Sequence, residues 1–591
     1  MFDRVFEGAT VVDGTGAEPF TADVAVQDGR IAEVGRITAA AKERIAAHGA
    51  WLTPGFVDIH THYDGQASWD QTFSPSIHHG VTTVVMGNCG VGFAPRVPGR
   101  EAELIALMEG VEDIPGVALL EGVDFRWRSF TDYMDALDAM PHTLDFLTLV
   151  PHDPLRMAVM GDRALAHEVA TDDDIAAMRA ELRAALAAGA LGFSTGRTDN
   201  HRTTRGLETP ASDAGEAELV GLGQAFEGLG RGVVQMVSDF DLLRSPERFD
   251  PEFDLVEALA RAAGRPLSMT WMQRDPGGEQ WQAMRARVDA AAAQGLPLYL
   301  QAAPRGIGVI SGLDAATHVF MGFPGYREIA ALPLAQRAAA LREPARKARI
   351  LAEQSERLAG DGSAVPPIVD ILLARIEQVA WRMFPLTAVD GQPDYEPPFS
   401  ASFGARAKAR GVRALEALYD HFAEGDGSNL VYFPVFNYND GNLDVVRQMM
   451  DHPRMLWGLS DAGAHVGTIC DASSSTFVLT HWVRDRDPAR PGGRLPLPTA
   501  VQMLTSRNAD YLGLADRGRI APGQRADLNL IDPQRLAVGM PRLVADLPGG
   551  SRRFLQQGEG YLGTWVAGQA VQQGGEVTAA RPGRLVRMGR A

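Results

Sequence analysis

Pro54-Gly55-Phe56-Val57-Asp58-Ile59-His60-Thr61-His62-Tyr63-Asp64 reads as a buried strand that ends in chemistry. The run 56–59 is short, apolar and partly β-branched, and two histidines follow it at i and i+2. On an extended chain that spacing sends both imidazoles to one side. Two neutral nitrogen donors aimed the same way suit a divalent borderline metal such as zinc, with Asp64 close by. The same pair is compatible with two polar residues on a strand edge, so the assignment depends on what the rest of the chain supplies.

Outward from this stretch, strand-like runs alternate with helical patterns, which predicts βα units and a parallel sheet. The runs are 56–62, 81–86, 145–150, 191–195, 232–237, 266–271, 296–300 and 455–460, and they point to a TIM-type (β/α)8 barrel of class α/β. A helix is expected over 172–188, capped by Thr171 or Asp172. The interval 306–427 is too long for a βα connection and carries helical patterns at 332–355 and 368–382, so it reads as an insertion after strand seven, either a lid or a structural elaboration. Both chain ends are strand-rich and Gly-punctuated, with Asp13-Gly14 and Asp28-Gly29 as hairpin signals. The expected organisation is a discontinuous β-sandwich from 1–54 and 510–591, and a metal-dependent barrel over 55–509.

Composition narrows the function classes. The 591 residues exceed the usual single-domain size. Lys plus Arg number 56 against 74 Asp plus Glu, and the formal charge of −18 argues against nucleic acid and anionic membranes as partners. No run approaches ~18 apolar residues, and the N-terminus lacks a signal-peptide pattern. Two cysteines, Cys89 and Cys470, exclude a disulfide framework and fit a reducing compartment, so a cytoplasmic protein acting on a small molecule is expected, with homo-oligomerisation left open.

In such a barrel the chemistry sits at the C-terminal ends of the strands. His60 and His62 end the first. Cys89, between two glycine-bearing turns, ends the second, as a small buried hydrophobe or as a thiolate ligand. His152 follows the third and either faces the site or caps a turn. Asp461 follows the last, in Ser460-Asp461-Ala462-Gly463-Ala464-His465, as metal ligand and general base or as a helix cap. Arg197 and Arg305 are candidates for a substrate carboxylate, with an ordinary salt bridge as the alternative for each. The stretch 433–440 either lines the cavity or forms a buried turn.

His60-x-His62-x-Asp64 after Pro54-Gly55-Phe56, Ser460-Asp461, and Arg517-Gly518-x-Ile520-x-Pro522-Gly523-x-x-Ala526-Asp527-Leu528 together resemble the amidohydrolase superfamily. Asn88-Cys89-Gly90, Glu121-Gly122 with Trp127, Leu155-Arg156 with Met160-Gly161, and the run 189–196 are similar to the N-acyl-D-amino-acid deacylases, or D-aminoacylases. The resemblance implies a metal-dependent barrel beside a small β-sandwich, with zinc held by a strand-two cysteine and by histidines on strands five and six. A strand-one pair and a strand-eight aspartate complete a second position. His60, His62, Cys89 and Asp461 carry over by motif. The strand-five and strand-six histidines have no counterpart, because 233–240 reads Val-Val-Gln-Met-Val-Ser-Asp-Phe and 267–274 reads Leu-Ser-Met-Thr-Trp-Met-Gln-Arg. Gln235, Asp239 and Gln273 are the substitutes at hand.

The expectation is one divalent ion, zinc, bound by His60, His62, Asp461 and Cys89. It would activate water for hydrolysis of an N-acyl-D-amino acid or a related cyclic amide, with Asp461 as the base and His152 or His465 polarising the carbonyl. The alternatives are a barrel that has lost catalysis and serves as a scaffold or binding protein, and a hydrolase of lactones or other esters.

Overall fold

The computed structural model describes residues 1–198, 200–238, 240, 246–274, 278–359 and 367–589. Its centre is an eight-stranded parallel sheet in which each barrel strand pairs with the next in chain order, from strand one to strand eight. The strands are Phe56–Asp58, Val81–Met86, Asp145–Pro151, Gly192–Arg197, Val233–Ser238, Leu267–Thr270, Leu298–Ala302 and Met455–Trp457. Most of these residues are buried along the whole strand, including every residue of Val81–Met86 and Val233–Ser238. That explains their nearly continuous apolar character, since a parallel sheet is covered on both faces.

The ends differ from expectation in one instructive way. Strand one stops at Asp58, and His60 and His62 lie beyond it. The barrel closes through this extension. Thr61 bridges Ala462 in parallel register, and the His62 N–H donates to Ala462 O at 2.8 Å. The Ser460 hydroxyl donates to His60 O at 3.2 Å.

Both termini contribute to one nine-stranded sheet. Trp51–Pro54 lies at its junction, parallel to Phe2–Val11 on one side and antiparallel to Leu528–Ile531 on the other. Phe6, Val24, Leu52, Leu528 and Trp565 pack beneath it, and Phe6 meets Trp565 edge to face at 4.8 Å. Asp28-Gly29 forms the expected tight turn, with φ of 50° and 74°. Asp13-Gly14 does not. It lies in the longer connection between Phe2–Val11 and Phe20–Gln27, where Gly14 has φ 81° and Ser506 Oγ donates to its carbonyl at 2.6 Å. The C-terminal tail then returns to the barrel, where Val586 N donates to Phe146 O at 2.8 Å.

The insertion after strand seven has its own core, including Phe320, Leu341, Leu418 and Phe422. Its base is the antiparallel pair Gly308–Gly312 and Leu430–Pro434, so it extends past residue 427. The helix Asp172–Ala188 forms as expected, with Thr171 in a capping box with Asp174. Among the described residues no helix is long and apolar enough to cross a membrane.

Arg517 joins the terminal sheet to the barrel. Its guanidinium, 2% exposed, donates to Asp145 Oδ2 at 2.8 Å and to Thr83 Oγ1 at 3.0 Å, while Asp145 is fully buried at the start of strand three. Arg525 also pairs with Asp145, at 3.0 Å, so loss of Arg517 removes one of two cations from the acid and leaves Thr83 Oγ1 without this donor. R517M is expected to destabilise the protein by about 1–3 kcal/mol, read from denaturant unfolding.

Candidate metal centre

Each candidate ligand is presented by backbone that only the end of a barrel strand imposes. Cys89 sits at φ 59° between Gly87 at 82° and Gly90 at 81°. A Cβ on Gly87 would meet Leu149 O at 2.2 Å, and one on Gly90 would meet Gly196 N at 2.7 Å, so both positions require glycine. Asp461 and His465 also adopt positive φ, 46° and 48°. Left-handed residues with side chains are uncommon, and their concentration here marks a region where the surrounding fold sustains local strain.

The side chains converge. His60, His62 and Cys89 are buried, and their ligand atoms lie within 4.8 Å of one another. His60 Nε2 is 3.3 Å from Cys89 Sγ and 3.4 Å from Asp461 Oδ1, and His62 Nε2 is 3.8 Å from the same carboxylate oxygen. The opposite face of His60 fixes its tautomer. Gln301 donates through Nε2 to Ser268 Oγ at 2.8 Å, which turns its Oε1 to His60 Nδ1 at 2.6 Å. Nδ1 is then the protonated nitrogen, and Nε2 presents a lone pair to Cys89 and Asp461.

The electrostatics describe a place for a cation. Burial lowers His60 to about 4 and His62 well below the ordinary imidazole value, which keeps both neutral and ready to ligate. Burial, then Asp471 and Asp58, push Asp461 up to about 8. Burial, then Glu112, Asp461 and Asp64, hold the Cys89 thiol well above its usual range. Several acids share a buried space with neutral imidazoles, an arrangement that a divalent ion relieves. The donor set therefore fits the metal.

The other expected residues fall elsewhere. His152 is fully buried, with Nδ1 on Thr195 Oγ1 and Nε2 on Glu218 Oε1, both at 2.9 Å, so neither nitrogen is left for a carbonyl. Arg197 is bound by both carboxylate oxygens of Glu252 at 2.8 Å. Arg305, 1% exposed, pairs with Asp471 at 2.7 Å and lies over the Tyr395 ring at 4.1 Å. The salt-bridge alternative describes both arginines, because each charge already has an internal counterion. His465 stays at the centre, partly exposed, with Nε2 3.7 Å from Glu112 Oε2. Of the strand-five and strand-six substitutes, Gln235 accepts the Cys89 N–H at 2.7 Å. Gln273 is engaged with Asn437, Asn439 and Asp440, which makes 437–440 a turn anchored on strand six, and Asp239 lies outside the described residues. Phe436, from the base of the insertion, packs with Met272, Ile307 and Leu459 beside the strand-eight end.

Two contributors were missed. Gln301 is an amide within an otherwise apolar strand. Glu112 belongs to the buried stripe Leu104, Leu107, Met108 and Val111 of the helix Glu101–Glu112. An acid at helical spacing on an apolar face was the available signal.

Eight parallel strands with an imidazole pair, a thiol and a carboxylate at their C-terminal ends define a metal-dependent barrel hydrolase. The chain belongs to the amidohydrolase family, whose model matches residues 43–375 and 405–572. It is 29% identical to D-aminoacylase of Alcaligenes xylosoxydans xylosoxydans over 91% of this chain and 89% of that protein. It is 27% identical to the N-acyl-D-aspartate deacylase of the same organism, over 100% of this chain and 96% of the relative. A solved D-aminoacylase, described as having a binuclear metal centre with one-metal activation and second-metal attenuation, superimposes with a TM-score of 0.63 at 26% identity, covering 99% of both chains. The protein is thus a metal-dependent enzyme for carbon–nitrogen bonds other than peptide bonds, acting on a small molecule, and the inactive-scaffold alternative gives way.

Divalent metal at about 100 times its Kd is expected to stabilise the fold by about 2.7 kcal/mol, reversed by a chelator. The double variant H60N/H62N should lose this shift, read in thermal melts as the difference between its own apo and metal-loaded transitions.

Proposed function

We propose that the enzyme hydrolyses the amide of an N-acyl-D-amino acid or a related cyclic amide with a single zinc ion. The convergence of His60 Nε2, Cys89 Sγ and Asp461 Oδ1 carries this reading. His60, His62 and Asp461 would hold the ion, with Cys89 at its edge. A divalent ion bound there acts as a Lewis acid and lowers the pKa of water towards ~7.

The chain's own residues supply the rest. Asp461 takes the proton from the attacking water and delivers it to the leaving nitrogen. Its side chain is 15% exposed, so it is buried enough to be basic and open enough to meet a substrate. Gln301 keeps the proton of His60 on Nδ1, away from the reacting groups. His465, the one expected carbonyl partner still at the centre, is partly exposed and polarises the scissile carbonyl.

The single-ion reading rests on the strand-five and strand-six ends. Gln235 directs its oxygen to the Cys89 amide, and its Nε2 together with Thr270 Oγ1 is buried without a hydrogen-bond partner among the described residues, so neutral groups stand there. The relatives named for D-aminoacylase and N-acyl-D-aspartate deacylase activity support the D-amino-acid side of the reading.

D461N is expected to lower turnover by at least about 10²-fold at saturating metal, measured on the best substrate from a panel of N-acyl-D- and L-amino acids, cyclic amides and lactones. Unchanged turnover in that variant removes Asp461 as the base. A panel in which only lactones react removes the amide assignment.

A further inference from the structure

Glu112 is a buried acid that the reaction outlined above does not use. Its side chain is 2% exposed at the end of the helix Glu101–Glu112, and among the described residues it has no arginine or lysine as an ion-pair partner. Its two oxygens face two imidazoles instead. Oε1 lies 3.4 Å from His62 Nδ1, and Oε2 lies 3.7 Å from His465 Nε2. His62 Nδ1 is itself buried and, among the described residues, has no hydrogen-bond partner, Glu112 Oε1 being its nearby carboxyl oxygen. A buried N–H beside a buried carboxylate is an unfinished pair that a small closure completes.

The backbone holds this acid in place. Asp113 turns the chain at φ 50°, and Glu112 O accepts the His465 N–H. One residue on, Asp113 Oδ2 accepts from Thr468 Oγ1 at 2.8 Å. The helix end is therefore tied to the same strand-eight loop that presents Asp461. On its other side, a Cβ on Gly110 would meet Arg202 O at 2.3 Å, so the helix lies directly against the loop after strand four.

We infer that Glu112 is a positioning residue of the metal centre, whose carboxylate holds the Nδ1–H of His62 and so directs His62 Nε2 towards Asp461. The two histidines are then oriented by different groups, His60 by the amide of Gln301 and His62 by the carboxyl group of Glu112. A carboxylate behind a ligating imidazole fixes its tautomer and raises its basicity as a ligand. The inference rests on the metal-centre reading given above.

The test uses the full-length apo protein, with zinc affinity measured by chelator competition and the visible spectrum recorded after cobalt loading. E112Q is expected to weaken zinc binding by about 10–100-fold and to shift the cobalt absorption bands, and E112D to recover part of both. A folded E112Q with wild-type zinc affinity and an unaltered cobalt spectrum overturns the inference. Should E112Q fail to fold, E112M carries the same test, and wild-type zinc affinity with an unaltered cobalt spectrum in that variant overturns the inference equally. Wild-type protein that binds neither ion overturns the metal-centre reading itself and this inference with it, whereas tight wild-type binding with an unaffected E112Q removes Glu112 alone.

Discussion

The barrel has to close between its first and last strands, and the rest of the structure depends on how it does so. Both strands are three residues long. They meet through the segments beyond their ends, where Thr61 bridges Ala462 and Ser460 holds His60 O. Those segments carry the imidazole pair and the aspartate. Closing the sheet and assembling the candidate ligands are consequently one event, and a chain that failed to close here would lose both. The constraint also accounts for the left-handed residues on the strand-eight side, because the chain must turn sharply after the bridge while presenting Asp461 inward.

A second consequence is electrostatic. Asp58, Asp64, Glu112 and Asp461 are brought into or beside one poorly hydrated space, and burial is the first cause that raises each of them. Nearby arginines do not relieve them, since Arg197 and Arg305 are matched by Glu252 and Asp471. Gathering acids in low dielectric disfavours the compact state unless a positive charge joins them. The fold thus retains an arrangement that its own side chains leave unbalanced, as expected where function rather than stability sets the choice of residue.

Much of this was legible in the sequence, for identifiable reasons. All eight barrel strands fall on the expected runs, because fully buried parallel strands are continuous apolar segments and need no partner to be recognised. His60, His62, Cys89 and Asp461 were legible because each sits at a strand end in a local pattern. Roles decided by distant residues were not. Arg197 and Arg305 find their counterions 55 and 166 positions away, and nothing local distinguishes a paired arginine from one awaiting a ligand. His152 was misplaced for the same reason, since Glu218 comes from a separate helix. Glu112 shows in the sequence only as an acid on an apolar helical face, because its significance lies in what faces it across the barrel mouth.

The junction strand Trp51–Pro54 has a consequence for how the molecule is made. Its antiparallel neighbour, Leu528–Ile531, lies 478 positions further along the chain, from Leu52 to Leu530. During synthesis Trp51–Pro54 emerges long before its partner, and one of its edges stays unpaired until Leu528–Ile531 has left the ribosome. Pairing of such sequence separation is slow, and an open strand edge is prone to wrong partners. The nascent protein therefore spends most of the interval between these two strands with a sticky margin exposed, until Leu528–Ile531 emerges to seal it.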